Sequence, residues 1–164
     1  MAKVVDYFDV KKRALELDCA IPNSLAILPR NFENAKSKVD LVHENTTPTI
    51  RILWRQNNIV ETPLEKKGEN ISYVFEESFG WVSPLIFFTS VFIIQNPYLI
   101  DVAIGVISNY LTDWFKGISD KEKKVSLNIV EETRSGSYKK IDYSGPLEGL
   151  QELPAIIRSI HDEQ

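Results

Sequence analysis

WVSPLIFFTSVFIIQNPYLIDVAIGVISNYLTDWFK, residues 81–116, is the stretch whose reading decides the fold. From Ser78 to Ile100 no side chain is charged, and between Ser78 and Ser119 only Asp101, Asp113 and Lys116 are. Pro84 and Pro97 each suit the first turn of a helix, where a missing N–H costs nothing, and Asn96-Pro97 breaks a helix arriving from before. The spacing predicts one helix over 85–95 and a second over 98–116, with Gly117 as its stop.

The second of these helices has a narrow polar side. Asp101, Gly105, Ser108, Asn109, Thr112 and Lys116 recur at steps of three and four, and apolar residues fill the rest. That small-and-polar stripe either faces water or lets another backbone approach closely at Gly105 and Ser108.

Leu85 to Ile94 differs, because only Thr89 and Ser90 interrupt it, and a helix apolar all round must be covered. The chain's own core is the first candidate cover, a partner or second copy the next, and lipid the last. A helix of that length reaches about 15–18 Å, against about 30 Å of hydrocarbon in a bilayer. Phe87, Phe88, Phe92 and Ile93 are the side chains expected at an interface of this kind.

Outward from the centre the chain is charged and strand-rich. Val10, Ala14 and Leu17 suggest a first helix, although Leu15, Leu17 and Cys19 also alternate as in a strand. Residues 24–28 read as a strand and 33–40 as a short helix. Thr47-Pro48 is a helix start, with the threonine hydroxyl as the cap; Ile50, Leu53 and Trp54 follow at helical spacing. Residues 59–64 and 71–75 flank a charged loop with Gly68 and predict one hairpin. Residues 125–132 and 138–143 flank Arg134 to Ser137 and predict another. Leu147, Leu150, Ile157 and Ile160 mark a closing helix that Pro154 either begins or kinks. The expected fold is therefore one α+β domain over 1–164: a mostly antiparallel sheet of two hairpins against a central apolar helical pair, with a C-terminal covering helix.

The chain has 164 residues, 43% hydrophobic and 26% charged, with a formal net charge of -4. That is globular composition, and its charge argues against nucleic acid as a partner. The basic residues Lys121, Lys123, Lys124, Lys139 and Lys140 are interleaved with acidic ones and read as a mixed solvated surface. The single cysteine, Cys19, excludes an internal disulfide and, with no apolar leader at the N-terminus, points to the cytoplasm.

Catalytic patterns are missing from the sequence. The two histidines, His43 and His161, have no metal-ligand spacing and read as surface residues. No glycine-rich phosphate loop and no nucleophile elbow occurs, so no cofactor is expected. Glu76-Glu77 and Glu131-Glu132 are neighbours on strands and point to opposite faces. The residues best suited to holding a ligand are Arg30, at the end of a strand, and Arg51, Trp54 and Arg55 on one helix, which together could hold an anion or stack on a nucleotide.

The strand–hairpin–helix ending, Val125 to Ile160, resembles small accessory components of bacterial conflict systems in the order of its elements. The apolar excess around Phe87 to Ile94 and the lack of catalytic groups point to a non-enzymatic protein. The leading expectation is accordingly an interaction protein that uses an apolar helical surface to self-associate or dock a protein partner. The alternative is a small-molecule or anion-binding domain, possibly enzymatic, built on Arg30, Arg51 and Arg55, and the third is a membrane-associating helical hairpin.

Overall fold

The apolar run at residues 85–94 divides into a strand and a helix. Strand β5 occupies Trp81–Phe88, and helix α3 begins only at Ser90 and ends at Gln95. Phe87 and Phe88 are thus extended, and Phe92 and Ile93 helical. All four are buried inside the chain itself. Leu85 to Phe88 look like one apolar block because β5 lies inside the sheet with both faces covered, where alternation disappears and a strand cannot be told from a buried helix by pattern. Pro84 starts no helix. It sits at a bulge, where the pairing of β5 with its neighbour shifts register between Val82 and Leu85. There the hydroxyl of Ser83 accepts the Asn128 N–H at 3.1 Å, so the ladder donor next to the proline is satisfied.

We describe the protein from a computed structural model that covers residues 2–74, 81–118 and 123–163. The acid pair Glu76-Glu77, the end of the strand expected over 71–75, and Lys121 lie outside those residues. The elements before β5 are β1 (Ala2–Tyr7), α1 (Val10–Glu16), β2 (Leu25–Leu28), β3 (Val42–His43), α2 (Thr47–Gln56) and β4 (Ser72–Tyr73). After α3 come α4 (Pro97–Trp114), β6 (Val125–Glu132), β7 (Tyr138–Gly145) and α5 (Leu153–His161). The five-stranded sheet has the order β1-β7-β6-β5-β2. Every neighbouring pair in it is antiparallel except β5–β6, which is parallel and joined by the α3–α4 crossover. The fold is α+β, with a mostly antiparallel mixed sheet and a C-terminal helix.

The sheet carries a layer on each face. Leu25, Ile27, Ile86, Phe88, Leu127, Ile129 and Ile141 pack under α2, α3, α4 and α5. Ala26, Leu28, Phe87 and Val130 face the other way, toward α1 and the segment around Phe32 and Leu41. This explains why β2 is buried at all four positions.

The hairpin β6–β7 forms as the sequence suggests, in register from Val125↔Gly145 to Glu132↔Tyr138. The other expected hairpin does not. Val42–His43 pairs in parallel with Ser72–Tyr73, and Glu61 makes a single parallel bridge to Leu25. The charges of residues 61 and 65 turn inward to ion pairs, which removes the solvent face a hairpin would need. β1 precedes a shorter first helix, capped by Asp9, whose carboxylate accepts the Lys12 N–H at 3.0 Å. The helix expected over 33–40 shrinks to one 3-10 turn, Lys38–Asp40. Thr47 lies inside α2, buried, and does not cap it; Thr46 occupies the cap position and its hydroxyl donates to Val82 O. Pro154 begins α5 rather than kinking it, and the segment before it, Leu147–Glu152, is a 3-10 turn.

Candidate functional site

Among the described residues, three of the places that gather polar groups bear on function. The first surrounds Arg51 on α2. Its Nε lies 2.6 Å from Glu61 Oε1, as an ion pair and not an aligned hydrogen bond, and its Nη2 lies 3.3 Å from Glu65 Oε2. Glu65 also meets the buried His43, Oε1 to Nε2 at 2.5 Å. Burial pushes the Glu61 carboxyl above its ordinary range, and Arg51 only partly offsets it. Burial acts the same way on Glu65, but the His43 hydrogen bond and Arg51 prevail and hold it below. One arginine set between two carboxylates leaves no positive surplus to attract an anion.

The other ligand-binding candidates do not join Arg51. Arg30 reaches Glu44 at 3.1 Å, and Arg55 is exposed on its helix. Trp54 is buried and donates from Nε1 to Ala103 O at 3.1 Å, so it ties α2 to α4 and offers no stacking platform. His43 is a core residue, not a surface one.

The second place is the carboxyl end of the parallel pair β5–β6, where folds of this kind often hold ligands. Ser90 Oγ lies 2.8 Å from His161 Nε2, and His161 Nδ1 lies 3.5 Å from Asp162 Oδ1. The order suggests a nucleophile, base and orienting acid, but the surroundings oppose it. The Ser90 N–H, which would stabilise an oxyanion, already donates to Glu132 Oε1 at 2.9 Å, so developing negative charge would meet a carboxylate. Asp162 is 66% exposed and paired with Arg134 at 3.0 Å. The Ser90–His161 contact is a polar pin between α3 and α5. His161, read from the sequence as a surface residue, is buried. The signal was available, since Leu153, Ile157 and His161 recur at steps of four along the buried face of α5.

Glu132 ties this end together. It accepts from Lys11 at 3.2 Å and from the Tyr138 hydroxyl at 3.2 Å, besides Ser90. Its neighbour Glu131 points to the opposite face, fully buried, and neither carboxyl oxygen has a partner. Burial first, then Glu163 and Asp162, push its pKa up to about 9.

The third place is a cleft beside the small-and-polar stripe of α4. A space of about 450 Å³ opens between α4 and the Leu147–Glu152 turn, lined by Ser108, Thr112, Phe115, Lys123, Leu147, Glu148 and Gln151 among others. A smaller space of about 200 Å³ adjoins it through Ser108 and Gln151 and reaches Asp101 and Gly105. Asp101, Asn109, Thr112 and Lys116 of the stripe are exposed, so it faces water, while Gly105 and Ser108 are half-buried at the edge of these spaces. A Cβ built on Gly105 would meet nothing within 4 Å. The opposite wall is fixed: Leu150 is buried, the Tyr143 hydroxyl donates to Pro146 O, and Gly149 sits against the Tyr143 ring.

No family model, no curated protein and no solved structure matches this chain. The likeness of its ending to conflict-system accessory proteins thus rests on element order alone. Among the described residues, no group of three or more His, Cys, Asp or Glu is placed to hold a metal ion. No described helix is long and apolar enough to cross a membrane.

Proposed function

We propose that this chain is a non-catalytic binding module whose ligand seats in the cleft between α4 and the Leu147–Glu152 turn. One observation carries the reading: a space of about 450 Å³, within the range of roughly 300–1,000 Å³ usual for small-molecule sites, stands between two anchored walls. None of the buried ionisable groups lines it. His43, Arg51, Glu61 and Glu65 bind one another, and Ser90, Glu132 and His161 pin helices, so the polar groups that resemble catalytic ones serve the fold.

The lining sets the ligand class. Phe115, Leu147 and Pro146 supply an apolar bed, and Ser108 and Gln151 supply hydrogen-bonding groups. A short peptide or free amino acid with an apolar side chain matches that set.

The test is a ¹H–¹⁵N NMR titration with the free amino acids and a panel of dipeptides. The expected result is saturable shifts confined to the 101–115 and 146–154 segments, lost in Ser108→Leu, which fills the cleft from its floor. Shifts spread over the surface, or none, would remove the reading.

A further inference from the structure

We infer that the ligand of the α4 cleft is a peptide segment, held at an internal amide, with an apolar side chain seated in the smaller space beside Gly105. This deepens the reading of the cleft as a binding site and rests on it. Gly105 carries the argument. Apart from proline, glycine is the least favourable residue inside a helix, and Gly105 lies in the interior of the 18-residue α4. Elsewhere the fold uses its glycines: Gly68, Gly117 and Gly136 take positive φ, and Gly149 makes room for Tyr143. Gly105 does neither, since its φ is not positive and a Cβ there would have no neighbour within 4 Å. The fold gains nothing from a bare backbone at this position. What the missing side chain keeps open is the space of about 200 Å³ that Gly105 lines.

The walls of that space name what fits it. Ile104, Leu150 and Pro154, apolar and buried, line it with Gly105. A cavity of about 150 Å³ holds a benzene-sized group, so this one takes a branched aliphatic or phenyl side chain. Ser108 and Gln151 border both this space and the larger one, and so stand where a ligand passes from one to the other. A carboxamide both donates and accepts, as a peptide amide does, so Gln151 can meet a peptide bond with both of its groups, and the Ser108 hydroxyl can serve the same bond. Both groups are neutral. Asp101, which also lines the smaller space, is already paired with Arg158 at 2.8 Å. An uncharged amide suits this junction, whereas the charged ends of a free amino acid would find no counter-charge there.

Titrations with N-acetyl-leucinamide, N-acetyl-alaninamide and free leucine, followed by ¹H–¹⁵N NMR, test this. The wild type should bind N-acetyl-leucinamide roughly tenfold more tightly than N-acetyl-alaninamide, for the extra carbon atoms partly buried, and more tightly than free leucine. Gly105→Leu should bind the two blocked compounds alike, because its own side chain fills the space. Gly105→Ala, the smaller change, should narrow the preference for leucine while raising the denaturation midpoint. A loss of selectivity together with a gain in stability is what a ligand role predicts and a structural role does not. No preference in the wild type, a preference that persists in both variants, or free leucine bound as tightly as its blocked form would overturn the inference and leave the cleft as a binding site. No shifts with any of the compounds would remove the cleft reading and this inference with it.

Discussion

Glu131 is the residue least at ease in this fold. It lies on a central strand, fully buried, with no hydrogen-bond partner for either oxygen. Its carboxyl group has an ordinary pKa of 4.5 and rises to about 9 when folded. Between those values the native chain holds a proton that the unfolded chain releases. Raising the pH therefore favours unfolding: the contribution is fully present below about 4.5 and is lost as pH climbs toward 9, by up to about 1.4 kcal/mol per pH unit. Glu131→Gln keeps the shape and removes the titration. Urea unfolding at about pH 5 and about pH 8.5 should show the variant gaining on the wild type only at the higher pH. An advantage of equal size at both would mean that Glu131 does not titrate in this window.

Among the elements, the Leu147–Glu152 turn is held by a close approach of Gly149 to Tyr143. Gly149 lies so near the Tyr143 ring that a Cβ would overlap its hydroxyl. Gly149→Ala must displace Tyr143, which is buried, and should cost about 1–3 kcal/mol, visible as a lower denaturation midpoint; Gly105→Ala, with open space above it, should not lower it. The element scale is also where the sequence could and could not be read. Helices α2, α4 and α5 have one apolar face each, and β6–β7 has turn residues between two runs, so local pattern locates them. β1 has neither signal, because its side chains are mostly exposed and its place comes from pairing with β7. β5 is hidden by having two buried faces instead of one. The same limit applies to the candidate site. The stripe on α4 was legible because it lies on one helix. Its opposing wall was not, because residues 146–154 are brought there by the sheet. Arg51 was read as a ligand-binding arginine, and its carboxylate partners come from a segment whose path no local period encodes.

At the scale of the whole molecule, the sheet is shared by two apolar clusters. Trp54 and Trp81 belong to the one under the helices, and Cys19 to the one on the opposite face. Alternate residues of the same strands enter each cluster, so neither can come apart while the sheet survives. Urea unfolding followed by tryptophan fluorescence and by thiol labelling of Cys19, buried in the native chain, should therefore give coincident midpoints. Separate midpoints would show that the layers melt independently.

The pairing of β1 with β7 joins Ala2 to Tyr143 and Tyr7 to Tyr138. During synthesis on the ribosome, β1 has no docking site until β7 has followed it out of the exit tunnel. β2, β5 and the β6–β7 ribbon can assemble as their segments appear, while β1 waits in solution with its amide edge bare. A nascent chain stalled before residue 138 would carry that strand unsheltered, and holding it apart from its neighbours is a task for whatever meets the polypeptide as it leaves the ribosome.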